Sequence, residues 1–254
     1  MATYKKKGQK QVKNTPIEKA EDQSTTAEVF NTLDETASKS EEWIEKNQKP
    51  LFYGLVVIAL IILGYLTYNN YVVTPKEREA ANELAFPKEN FDKAINANSE
   101  ADSIFSLSLD GANGKYGFVD IANRYAGTNA GNLANYYAGI SYLKKKDYQN
   151  AIVYLEKFNS DDVLLKAISL GAIGDAFADL DQEVDALDYY EKAIDASKNL
   201  ATTPLYLFKA GNTALSIGKA DKALAFFTEI KNEFSTSVYA KDIELSLNKA
   251  KYTK

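Results

Sequence analysis

The sequence predicts an all-α protein, with one membrane-spanning helix near the N-terminus followed by a solenoid of helical hairpins. Three observations predict this. An uncharged apolar run, LFYGLVVIALIILGYLTY, occupies residues 51–68. The 254 residues include only 5 prolines and 13 glycines, which favours helices over a many-turned β architecture. From residue 139 onward, glycine, alanine and aromatic side chains return at a nearly constant interval.

Composition narrows the chemistry. There is no histidine and no cysteine, so there is no Ser-His-Asp triad, no thiolate nucleophile, no imidazole or thiolate metal site and no disulfide framework. With 30 Lys+Arg against 35 Asp+Glu, the net charge of −5 leaves no basic footprint for nucleic acid.

Residues 1–26 are polar and Lys-rich, with few large apolar side chains, which predicts a disordered tail. Over residues 27–49 Val29, Leu33, Ala37, Ser40 and Ile44 recur at three- and four-residue steps, predicting an amphipathic juxtamembrane helix. Such a helix suits a lipid surface or a docking partner. Residues 50–73 are then the membrane helix. Eighteen helical residues span about 27 Å, close to a hydrocarbon core of about 30 Å. Trp43 and Tyr53 on one side, and Tyr65, Tyr68 and Tyr71 on the other, suit the two interfaces. Some fifty residues precede the run and no small-residue cleavage site follows it, so it reads as an uncleaved anchor. Lys39, Lys46 and Lys49 balance Lys76, Arg78 and Lys88 across it, while Lys5, Lys6, Lys7, Lys10 and Lys13 add to the N-terminal side. The excess places the N-terminus in the cytoplasm and residues 74–254 outside it.

Residues 74–110 read as a helical connector. Thr74 stands as an N-cap before Pro75, one helix runs to about Phe86, Pro87 restarts or kinks it, and a further helical stretch runs to about Leu109. Asp110–Lys115 is a break. Residues 111–254 follow as helix after helix, with turns at Gly127-Thr128-Asn129, Lys146-Asp147, Asp161-Asp162, Leu180-Asp181, Thr203-Pro204, Gly218-Lys219 and Ser235-Thr236. Residues 115–126 read as an incomplete leading repeat or a capping helix, and residues 236–251 as a terminal helix with a solvated outer face.

Three segments within this region align. They are Gly139, Ala151 and Leu155; Gly174, Ala186 and Tyr190; and Gly211, Ala223 and Phe227, with glycines 35 and 37 residues apart. Tyr142, Phe177 and Ala214 stand three residues after each glycine. The glycine and alanine mark a close helix–helix approach, and the larger residues fill the space beside it. By the same reading Ala196 and Ala250 lie near helix ends and tolerate larger side chains. Tyr142 and Tyr154 are read as packing residues.

These copies resemble the tetratricopeptide repeat. The segments YYAGISYLKKKDYQNAIVYLEKF and IGDAFADLDQEVDALDYYEKAI match it well, and the third copy departs by having Ala214 where tyrosine is usual. The resemblance implies that the first helix of each pair lines a concave face. Three residues before and one after each repeat glycine stand Tyr136 and Ile140, Gly171 and Asp175, and Phe208 and Asn212. Tyr136, Ile140, Asp175, Phe208 and Asn212 are therefore the candidate partner-binding residues, a mixed and weakly charged surface suited to a peptide or helix.

With the single N-terminal anchor, the arrangement over residues 40–254 is similar to the bacterial YfgM family. That resemblance implies an inner-membrane protein with a periplasmic repeat domain, an ancillary component of the Sec translocon partnered with the membrane-anchored chaperone PpiD. The expected function is a non-enzymatic scaffold positioning a periplasmic chaperone near secreted chains. The alternative is a scaffold for another envelope assembly, in secretion, cytochrome maturation or cell-wall machinery, and behind it a carboxylate-only enzyme.

Asp110–Lys115 lacks the spacing and the Ser/Thr of a phosphate loop, and Ala112 and Gly114 fail the calcium-loop pattern. Asp161-Asp162, Asp179/Asp181 and Glu183/Asp185 stand at helix starts, where carboxylates cap free N–H groups. No metal, cofactor or small-molecule substrate is expected.

Overall fold

A computed structural model describes residues 25–97 and 99–253. Residues 1–24 of the expected tail lie outside them. The chain divides between Thr67 and Tyr68 into two compact units. The first contains most of α1 (Thr25–Tyr68), which passes through Pro50 without ending. The separate helices expected over 27–49 and 50–73 are thus one helix. Pro50 removes one ladder hydrogen bond. The leucines and other apolar residues on its C-terminal side propagate the helix past it. The helical residues Trp43–Asn96 include an 18-residue window of mean hydropathy 2.2, none of it buried.

The second unit opens with a π-helical turn, Asn69–Val73, in which the Thr74 N–H reaches the Asn69 carbonyl. Pro75 explains the widening, because it has no N–H and its ring crowds the carbonyl four residues back. Thr74 is not the expected N-cap. Val73 before it is already helical, and the Thr74 hydroxyl donates backwards to the Asn69 carbonyl at 2.9 Å. Next come α2 (Thr74–Glu83), α3 (Ala85–Asn96) and α4 (Ala101–Asp110). The first helix stops three residues short of Phe86, and Pro87 lies within the first turn of α3 rather than starting it. The stretch expected to run on to Leu109 is split, with Ala97 extended. Short polar side chains at Asn96 and Ser99 compete for the backbone there.

The expected break at Asp110–Lys115 is a small β-hairpin, β1 (Gly111–Ala112) against β2 (Lys115–Tyr116). Asn113 and Gly114 form its two-residue loop, both with positive φ, the Asn-Gly signature of a type I′ turn. Then α5 (Phe118–Arg124) closes an N-terminal cap. Phe91, Phe105, Phe118 and Tyr137 form its core, with ring centroids 5.0–6.1 Å apart.

Three helical hairpins follow. They are α6 (Asn129–Lys144) with α7 (Tyr148–Lys157), α8 (Val163–Asp179) with α9 (Glu183–Ala196), and α10 (Thr203–Ser216) with α11 (Ala220–Glu233). A 3₁₀ turn at Val238–Ala240 leads to the terminal α12 (Ile243–Tyr252). Thr203 and Pro204 are not a turn but the start of α10, as proline's fixed φ favours. The connector is residues 197–202. Asn199 holds it, its Oδ1 accepting from the Ala201 and Thr202 N–H groups at 2.7 and 2.8 Å.

The repeat register is visible in the packing. A Cβ added at Gly139 would stand 2.4 Å from Leu155 and 3.1 Å from the Ala151 carbonyl. One at Gly174 would stand 2.7 Å from the Tyr190 ring and 3.3 Å from the Ala186 carbonyl, and one at Gly211 would stand 2.4 Å from Phe227. Ala151, Ala186 and Ala223 are all fully buried. Beside each close approach a second pair packs. Tyr142 stacks on Tyr154 at 5.4 Å and Phe177 on Tyr189 at 5.3 Å, while Ala214 and Phe226 hold the corresponding places in the third hairpin.

The hairpins also turn alike. Lys146, Asp181 and Gly218 each stand seven residues after the repeat glycine, and all three have positive φ (63°, 57° and 72°). In each turn the next N–H bonds back to the residue three after the glycine: Asp147 to Tyr142, Gln182 to Phe177 and Lys219 to Ala214, at 2.9, 2.9 and 2.7 Å. This is the Schellman closure, repeated three times. At the far end α12 packs Ile243, Leu247 and Ala250 into the core. Ala250, 3% exposed, is therefore not a tolerant helix end.

Candidate functional site

The five candidate residues lie on the first helices of the hairpins, Tyr136 and Ile140 on α6, Asp175 on α8, Phe208 and Asn212 on α10. They are not equally available. Tyr136 is half-buried, its ring 5.5 Å from Tyr137 and 5.2 Å from Phe158. Ile140 is half-buried between the N-terminal core and the Leu155–Ile173 cluster. Phe208 packs on Phe227 and on Tyr239 of the 3₁₀ turn, at 6.2 and 5.5 Å. Asn212 is exposed, its Nδ2 donating to the Phe208 carbonyl at 3.0 Å.

Asp175 is the centre of a network. Lys209 Nζ donates to both of its carboxylate oxygens, at 2.6 and 2.7 Å, and the Tyr190 hydroxyl donates to Oδ1 at 2.7 Å. Lys209 and Asp175 are each about one-third exposed, so the pair is a partly screened clasp between α8 and α10. The Tyr206 ring lies over Gly171, where any Cβ would meet it at 2.0 Å. Tyr190 and Tyr206 stack with centroids 6.4 Å apart. Burial, with the Asp175 carboxylate beside it, raises the Tyr190 hydroxyl well above its ordinary value, and Tyr206 is raised for the same two reasons.

Sequence reasoning missed Lys209, Tyr190 and Tyr206. The signal for Lys209 was faint: it lies 34 residues after Asp175, one repeat on, with opposite charge. Glycine at position 171 was readable as a departure from Tyr136 and Phe208, but not that a tyrosine five residues before the next repeat glycine covers it.

Two clefts among the described residues lie elsewhere. One of about 650 Å³ opens between the α5–α6 and α7–α8 connections, lined by the carboxamides of Asn123, Asn129, Asn132, Asn135 and Asn159. Asn132 is already engaged, giving a hydrogen bond to the Asn159 carbonyl at 2.6 Å and taking one from its N–H at 3.0 Å. The other, about 380 Å³, lies between α7, α8 and α9 beside Leu170, Ile173 and Tyr189. Asp162 acts as the cap it was expected to be, accepting from the Leu164 and Leu165 N–H groups at 2.9 and 3.1 Å. Asp179, Asp181 and Glu183 do not gather into a metal-ligating group.

The tetratricopeptide repeat family matches residues 133–161, which cover nearly all of the first hairpin. The chain contains a tetratricopeptide repeat. Hairpins two and three repeat the close approach at its glycine and its turn, so the tetratricopeptide-like region is an all-α repeat array rather than one isolated motif. Tetratricopeptide domains generally bind protein partners. No curated protein matches the chain.

Proposed function

We propose that this protein is a non-enzymatic, membrane-anchored scaffold whose tetratricopeptide domain holds a protein partner at the membrane surface. The observation that carries the reading is the joining of two elements in one chain. Around residues 51–68 apolar side chains are exposed on every side, Phe52 at 65%, Leu55 at 68% and Ile61 at 65%. A helix apolar all round needs an apolar solvent. Repeat solenoids of the kind that follows offer extended open surfaces for a partner. An anchor that confines such a face to the membrane raises its effective concentration near a membrane partner.

The specific reading follows the YfgM resemblance. The protein is an accessory of the Sec translocon in a bacterial inner membrane, N-terminus cytoplasmic, with the repeat domain in the periplasm beside a chaperone of the PpiD type. Tyr136, Ile140 and Asn212 would meet the partner. Asp175 and Phe208 would shape the face from beneath, since Lys209 and Tyr239 already occupy them.

The test is affinity capture of the full chain from membranes in mild detergent, with mass spectrometry of what is retained. Translocon subunits and a membrane-anchored chaperone are expected, and both should be lost with Tyr136→Ala and Asn212→Ala together. Capture of a different envelope assembly by the same face would replace the translocon assignment. Capture unaffected by the double substitution would reject the face.

A further inference from the structure

The second unit has two edges. At one, the turns 145–147, 180–182 and 217–219 close the hairpins. At the other, the chain passes from each hairpin to the next element, through residues 158–162, 197–202 and 234–242. This connector edge, with the helix starts that follow it, exposes large apolar side chains in every passage. Val163 is 57% exposed, Leu164 42%, Leu200 75%, Val238 68% and Leu245 75%. The hairpin-turn edge exposes Lys146, Asp181, Gln182 and Lys219, and its large exposed apolar residues are Val184 just beyond the second turn and Tyr252 at the end of α12, beside the third turn. Single exposed apolar side chains are ordinary. Their return in three successive connectors, on one edge, is not a scatter.

The position of α2 identifies what meets this edge. Its first turn is bound to the α5–α6 turn: Glu77 accepts from the Asn129 and Ala130 N–H groups at 2.8 and 3.1 Å, and Lys76 Nζ approaches the Ala126 carbonyl at 3.4 Å. Asn129 begins α6, so α2 starts at the edge where α8 and α10 also start. The uncharged run ends just before it. Tyr71 and Val72, 75% and 49% exposed, precede Glu77 by only a few residues. From Tyr68 to Glu77 the helical path is at most about 14 Å at 1.5 Å per residue.

We propose that the connector edge, through Val163, Leu164, Leu200, Val238 and Leu245, rests on the lipid surface of the bilayer that holds this chain's own apolar helix. The proposal rests on the anchoring reading above and adds a second membrane contact to it. Asp161, Asp162, Asp242 and Glu244 are exposed at the same edge with Lys166, Lys198 and Lys241, four acids against three bases, so the charges nearly cancel. Apolar insertion at the headgroup boundary, rather than attraction to anionic lipid, then supplies the contact. Because the anchor already holds the domain near the bilayer, a weak contact suffices to orient it. Resting on this edge would stand α6, α8 and α10 away from the membrane and leave their face open along its length.

The chain has no cysteine, so single probes are simple to place. Full-length Leu200→Cys and Val238→Cys, labelled with a small fluorophore, are compared in nanodiscs with Lys146→Cys and Lys219→Cys at the opposite edge. The nanodiscs are made of zwitterionic lipid carrying a nitroxide near the headgroup. The proposal expects nitroxide-dependent loss of fluorescence at 200 and 238 and none at 146 and 219. The α6 helix sets the two edges about 24 Å apart, beyond reach of the same quencher. Equal quenching at both edges, or none at 200 and 238 while the chain resists carbonate extraction, overturns the lipid contact and leaves the anchor standing. Release of the chain by carbonate removes the anchor and the proposal together.

Discussion

Ala223→Leu probes the repeat register most directly, because the same helix contains its own control. Ala223 is fully buried on α11, one turn before Phe227, and Phe227 fills the space over Gly211 so closely that even a methyl there would meet its ring at 2.4 Å. Leucine adds three carbon atoms at a site with no slack. Overpacking of this kind costs about 1–3 kcal/mol, more where backbone cannot shift. Ala225, two residues on, is exposed on the opposite face of α11. Leucine and alanine have similar helix propensity, so Ala225→Leu should fall within about 0.5 kcal/mol of the parent. In urea, with a slope of about 2 kcal/mol per molar, the buried substitution lowers the midpoint by about 0.5–1.5 M, and the exposed one by no more than about 0.3 M. The measurement is urea unfolding of residues 68–254 followed by far-ultraviolet circular dichroism, with the slope checked for constancy. Ala151→Leu and Ala186→Leu should behave as Ala223→Leu does. If Ala223→Leu and Ala225→Leu shift the midpoint equally, the packing register is wrong and the partner-facing residues taken from it fall as well.

Three further outcomes are expected. Lys146→Gly should stabilise the domain by up to about 1 kcal/mol by relieving a left-handed residue, and Gly218→Ala should cost about as much; a melting temperature lowered by Lys146→Gly or raised by Gly218→Ala would contradict the shared turn. Glu77→Ala should cost about 1–2 kcal/mol and speed amide exchange at Asn129 and Ala130, whose N–H groups it leaves without their carboxylate; unchanged exchange there would refute the cap. Burial, with the Glu79 and Glu156 carboxylates beside them, pushes the Tyr125 and Tyr189 hydroxyls from an ordinary 10.0 up to about 12. The unfolded chain therefore loses these protons first, so their contribution is complete below pH 10 and is lost as pH rises through about 12; a urea midpoint unchanged between pH 9 and pH 11.5 would show that the hydroxyls are not held this way.

Much of this molecule is local, and what is local was legible. The apolar run of α1, the helix breaks at Gly127, Lys146 and Gly218, and the glycine–alanine period each depend on residues near in sequence, through propensity, turn geometry and hairpin packing. Even the Asn113-Gly114 hairpin was readable from its dipeptide, although the sequence suggested only a break. The helix ends around Thr74, Pro87 and Thr203 were misplaced because a proline marks a boundary without saying on which side of it the helix continues.

The candidate face was legible only in outline. The tetratricopeptide resemblance singled out Tyr136, Ile140, Asp175, Phe208 and Asn212 on the first helices, counted from the repeat glycines. Whether those side chains are free depends on what the neighbouring hairpin brings. Lys209 claims Asp175, Tyr239 covers part of Phe208, and Tyr206 fills the space over Gly171. Ala250 makes the same point at the end of the domain, where only the packing of α12 shows that a helix-end alanine is core. The sequence by itself determined which segments are helices and with what period they pair. Only the tertiary structure decided which side chains remain available, because that depends on contacts between residues a full repeat or more apart, and no local preference encodes them.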